Sequence, residues 1–132
     1  MSEQPVSEGP KGDEEQKGQP ETARVNIEQF AALDLRVGEI KSVEPHPKAD
    51  RLFVMTVDLG EESPRQLVAG IRAHREADEL VGKRIVVVAN LEPAKLRGVE
   101  SQGMLLAAGG RDGVDLALLT VDQDVPVGTR IS

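Results

Sequence analysis

LRVGEIKSV, residues 35–43, is the stretch on which the fold turns. Leu35 and Val37 share one parity, Ile40 falls on the other, and Gly38 stands between them. An apolar alternation that slips at a glycine predicts a bulge or sharp bend, as strands of small barrels need to turn their corners. Downstream, PHPKAD (45–50) is a proline-punctuated turn. RLFVMTVDLG (51–60) then places Phe53, Met55, Val57 and Leu59 on one side of a second strand. EESPR (61–65) is a loop and QLVAGI (66–71) a third strand, followed by a one- to two-turn helix over READEL (75–80) that ends near Gly82. KRIVVVAN (83–90) is a β-branched run that predicts a central strand buried on both faces. EPAKLRGVESQ (92–102) reads as a long loop, GMLLAAGG (103–110) as a strand, RDG (111–113) as a turn, and VDLALLTV (114–121) and VPVGTRI (125–131) as C-terminal strands. Upstream of all these, NIEQFAAL (26–33) carries Ile27, Phe30 and Ala31 at helical spacing behind Asn26 as N-cap.

The order strand, strand, strand, short helix, strand, loop, strand is that of an all-β OB-fold. Such a fold is a five-stranded Greek-key barrel with a short helix between strands three and four; extra C-terminal strands follow here. Leu116, Leu118, Leu119 and Val121 in that surplus segment are more apolar than the outside of a small barrel requires, which predicts a homodimer contact. Residues 1–24 are Gly, Pro, Gln, Ser and Glu with almost nothing to bury. They read as a disordered tail or linker ahead of a single domain over 25–132.

Composition removes several function classes. Among 132 residues there are two Phe, no Trp and no Tyr, too few aromatics to floor a base-stacking platform. With no Cys there is no disulfide framework, no thiol nucleophile and no Cys-based zinc site. No apolar run approaches the roughly 20 residues that span a bilayer. Neither does the N-terminus carry a secretory signal, so a cytoplasmic location is expected, without membrane attachment. His46 and Asp50 lie four apart, but Pro45 and Pro47 exclude a helix interior that would align them on a metal. Gly98 and Gly103 have phosphate-loop spacing, yet Met104 and Leu105 stand where Lys and Ser or Thr must be. None of Ser42, Ser63 and Ser101 lies in a nucleophile elbow. A binding module that needs no metal or other cofactor is therefore expected, rather than an enzyme.

The net charge of −7 opposes a polyanionic partner, but it is unevenly spread. Arg36, Lys41, Lys48 and Arg51 outnumber Glu39, Glu44 and Asp50 in one stretch, and Lys83, Arg84, Lys95 and Arg97 outnumber Glu92 and Glu100 in another. Acid concentrates elsewhere, as at Asp112, Asp115, Asp122 and Asp124. On an OB-fold the two basic stretches border the usual binding face, giving a weakly positive surface on an acidic body.

Three blocks occur in register: DLRVGEI (34–40), HPKADRL (46–52) and VANLEPAKLRGVESQGMLLAA (88–108). Together they resemble the tRNA-binding domain appended to bacterial methionyl-tRNA synthetases, a module also found as stand-alone tRNA-binding proteins and in accessory proteins of synthetase complexes. The likeness covers about residues 27–132. It implies non-catalytic tRNA binding by shape, with little sequence preference, by a homodimer that stands alone or accompanies a methionyl-tRNA synthetase catalytic chain. A folded RNA displays phosphates and 2′-hydroxyls at fixed spacing, which basic and polar side chains read without base identity. Carried over by position, Lys95 and Arg97 would contact phosphate, Asn90 and Ser101 would fix the loop or reach the sugar, and Met104 would sit where the loop returns to the barrel. Arg36, His46, Lys48 and Arg51 would flank the same groove, while Gly38, Gly98 and Gly103 would serve the backbone.

One departure stands out. Where the family commonly reads N-L-K-P-R-K, this chain has Glu92 and Ala94 in place of two basic residues. Weaker and more salt-sensitive tRNA binding than the family norm is expected. One branch of the superfamily is a dimeric chaperone related to secretion, which shares the D-L-R-V-G block but lacks the K-L-R-G-V-E-S run. That role, or a protein–protein adaptor without RNA binding, is the competing expectation.

Overall fold

The computed structural model describes residues 22–132, so the tail expected over residues 1–24 lies outside the described residues as far as residue 21. Helix α1 (Ile27–Ala31) is set by a reciprocal cap. Asn26 Oδ1 accepts from the Gln29 N–H and Gln29 Oε1 accepts from the Asn26 N–H, both at 2.8 Å, which satisfies two donors a helix start leaves open. Then follow β1 (Leu35–Pro45), β2 (Phe53–Asp58), β3 (Arg65–Ala69), helix α2 (Ala77–Leu80) and β4 (Arg84–Val88). After them come the short strands β5 (Ala94–Leu96), β6 (Val99–Ser101), β7 (Met104–Leu105), β8 (Ala107–Ala108), β9 (Ala117–Leu118) and β10 (Arg130–Ile131).

The main sheet runs β3-β2-β1-β4-β7, all pairs antiparallel, with β10 beside the start of β1. The free edge of β3 is met by the segment leaving β6: the Gln102 N–H donates to Gln66 O at 2.8 Å, and the Val68 N–H to Ser101 Oγ at 2.9 Å. These bonds bring the sheet round into the nearly closed barrel expected of an OB-fold, with α2 between the third and fourth strands. Ile40, Met55, Val57, Leu67, Ile85 and Val87 fill its interior, joined by Leu80 of α2.

The parity slip in LRVGEIKSV has a different cause from the expected one. β1 alternates regularly through Gly38, but both of its faces are buried. Gly38 and Ile40 point with Ile85 and Val87 into the barrel, while Leu35 and Val37 pair with Val88 and Val86 on the outside. There Leu35, Val86 and Val88 form a second small core, covered by Leu106 and by Ile131 of β10. The register shift lies further on, between Ile40 and Ser42. What Gly38 provides is room: a Cβ there would lie 2.8 Å from both Leu59 Cδ2 and Val57 Cγ1.

Two other expectations are corrected. Residues 92–102 are not a loop but the β5–β6 hairpin, in register Leu96↔Val99 about a two-residue turn. In the run 114–121 only Ala117–Leu118 forms a strand, paired with β8. Leu116 and Leu118 pack against the barrel core, which leaves Leu119 exposed. Val25, Ile27, Phe30 and Leu33 around α1 are exposed as well, and so are Val81, Leu91, Leu96, Met104 and Val114 elsewhere.

Candidate nucleic-acid interface

His46 organises the site. It is 3% exposed at the end of β1, and its Nδ1 accepts the Lys48 N–H at 2.9 Å. Nε2 therefore carries the ring proton and donates to Leu96 O, also at 2.9 Å. One imidazole thus ties the turn holding Lys48 and Arg51 to the last residue before the hairpin tip. At that tip Arg97 (φ 54°) and Gly98 (φ 90°) are both left-handed, as a two-residue turn between twisted strands requires. Glycine takes this conformation freely, whereas arginine is held there at a cost of about 1 kcal/mol.

Lys48, Arg51, Lys95 and Arg97 are exposed, and none is ion-paired among the described residues. Arg72 joins them: its N–H donates to Arg51 O at 3.3 Å, its side chain is half-buried, and no acidic partner meets it among the described residues. Sequence reading passed over Arg72. The signal was present in the pairing of RLFVMTV with QLVAGI, because the register Phe53↔Ala69 carries Arg51 outward to the level of residues 71–72.

Three of the nine sequence candidates are spent inside the fold. Ser101, 5% exposed, accepts from Val68 and donates to Gly103 O at 2.8 Å. Asn90 donates to Ala32 O at 2.7 Å and accepts from the Asp34 N–H at 2.9 Å, fastening α1 to the end of β4. His46 is the third. Arg36 lies at the other end of β1 from His46, with Nε on Asp34 Oδ1 at 2.8 Å and Nη1 on Gly128 O at 3.1 Å. That Arg36 hydrogen bond holds the Asp34 carboxyl below the usual carboxylate range. Met104 is 47% exposed beside Leu91 and Leu96, in a groove of about 450 Å³ behind the hairpin. No group of three or more metal-ligating side chains occurs among the described residues, and no described helix is long and apolar enough to cross a membrane.

The arrangement is a set of five cations on three segments, the turn and hairpin joined through His46 and the stretch after β3 bonded to the turn at Arg51, next to an apolar groove. It suits electrostatic contact with phosphates and carries no nucleophile–base pair.

Comparison with known proteins agrees in kind. Residues 35–130 match the family model described as "Putative tRNA binding domain". A methionine–tRNA ligase of Thermococcus kodakarensis is 58% identical over 107 residues, which are 81% of this chain and 14% of that protein. The chain spans about one-seventh of the length of the curated relatives it matches. Among solved structures, a MetRS-related protein from Pyrococcus horikoshii superposes with a TM-score of 0.76 at 34% identity, over 84% of this chain and all of that one. The chaperone CsaA of Bacillus anthracis does so with a TM-score of 0.73 at 33% identity, over 83% of this chain and all of that one.

Proposed function

We propose, from the premise that the chain belongs to the tRNA-binding domain family, that it grips tRNA by shape and phosphate charge, without catalysing a reaction on it. The observation that carries this reading is the His46–Leu96 hydrogen bond, which holds Lys48 and Arg51 beside Lys95 and Arg97. Fixed cations match phosphates at fixed spacing, and contacts of that kind position an RNA without reading its bases. The module acts as the appended domain of a methionyl-tRNA synthetase or as a separate protein that accompanies one. Residues 25–132 form its working unit. Self-association would use the apolar residues around α1, where Val25 and Ile27 are largely exposed.

A gel-shift assay with total tRNA and a duplex DNA control, run beside sizing chromatography, tests this. Retarded tRNA, unretarded DNA and a loss of the shift in Lys95→Glu/Arg97→Glu are expected. A likeness to CsaA at 33% identity supports a second reading, a chaperone. Suppression of client aggregation without any tRNA shift would select that reading.

A further inference from the structure

We propose that the groove behind the β5–β6 hairpin receives one unstacked guanine of the bound RNA, and that Glu92 reads its Watson–Crick edge. This rests on the RNA-binding reading above and adds a base-specific site to it. The groove, about 450 Å³, lies within the range of about 300–1,000 Å³ usual for pockets that enclose small ligands. Its walls include Leu91, Leu96 and Met104, three of the large hydrophobic side chains the fold leaves exposed. Apolar side chains can sandwich an extruded base as aromatics do, so the lack of Trp and Tyr is no obstacle. Lys95 and Arg97 project from the same hairpin and would hold the flanking phosphates while the base turns inward.

Glu92 lines this groove and has no ion-pair partner among the described residues. A carboxylate there repels phosphate, so as a backbone contact it is counterproductive. Against a base it has a use. Guanine presents N1–H and N2–H side by side, two donors that match the two carboxylate oxygens, whereas adenine, cytosine and uracil each present a single donor group on that edge. Hydrogen bonds to an ionised acceptor are also stronger than neutral ones. The hairpin would therefore anchor RNA by charge and fix its register by one guanine.

Fluorescence anisotropy of the purified chain with the pentanucleotides UUGUU, UUAUU, UUCUU and UUUUU, with total tRNA measured in parallel, tests the assignment. UUGUU is expected to bind about tenfold more tightly than the other three, the discrimination one bidentate base contact provides. In Glu92→Ala the other three should bind somewhat more tightly, because a negative charge is gone, UUGUU should lose its carboxylate contact, and the differences among the four should vanish. Met104→Ala, at an exposed position that spares the core, should weaken UUGUU selectively. If tRNA binds but the pentanucleotides bind alike or not at all, or if another base is preferred, the guanine site is refuted while tRNA binding stands. If tRNA itself fails to bind, both readings fall.

Discussion

At the scale of single residues, sequence and structure assign different work to the same polar side chains. Asn90 and Ser101 carry chemistry suited to sugar contacts, yet every hydrogen bond they make is internal. Nothing in a sequence says whether a Ser oxygen points at a neighbouring strand or at solvent; only the closure of the barrel against β3 decides it. Exposed cations were more legible, since a charged side chain without a partner has nowhere to go but the surface. Arg97 shows the same residue serving two ends. Its φ of 54° belongs to Gly or Asn, and strain retained at a turn tip points to a task for the side chain. Arg97→Asn is expected to relax the turn and raise stability by about 0.5–1 kcal/mol in chemical denaturation. The same variant should lose several-fold in tRNA affinity at low salt by filter binding, because one phosphate contact is gone.

Among the elements, strands were readable wherever one pattern governed them. β2 shows the alternation Phe53, Met55, Val57 in its burial, and the β4 run Ile85–Val88 is buried throughout. β1 was harder because two cores claim it, and alternation cannot be told from slippage when both faces are apolar. The hairpin was unreadable as strands because all three residues of β5 are exposed and Arg–Gly is a poor turn signal beside Asn–Gly. Its placement depends on His46, whose bond to Leu96 crosses fifty positions of chain. His46→Ala would leave Leu96 O and the Lys48 N–H without their partner, at a cost of about 1–3 kcal/mol in stability. Amide exchange across residues 94–101 should quicken, and tRNA affinity should fall although His46 is buried. Unchanged exchange would show that the hairpin is held by other contacts.

For the molecule as a whole, the acidic body and its cationic ridge respond to different variables. Stability follows the carboxylates. Arg36 lowers the pKa of Asp34 in the folded chain, so the stabilisation it gives is present above the ordinary carboxylate pKa and is lost as pH falls through the depressed value. Denaturation curves should accordingly show wild type ahead of Asp34→Asn at pH 7, with the gap closing below about pH 4. A gap that widens in acid would contradict the ion pair. Binding follows the cations. Fewer cations weaken binding, as the sequence suggests, but they do not make it more sensitive to salt. The salt slope grows with the number of phosphates neutralised, so Glu92 and Ala94 in place of two cations make it shallower.

That dependence offers the most direct check on the ridge formed by Lys48, Arg51, Arg72, Lys95 and Arg97. tRNA affinity is measured by filter binding between about 50 and 200 mM salt for wild type and for Lys95→Gln/Arg97→Gln. Five phosphate contacts give log K against log salt a slope of about −4, and removing two of them brings it to about −2.5. A wild-type affinity indifferent to salt, or a slope the double variant leaves unchanged, would mean that tRNA is held somewhere else.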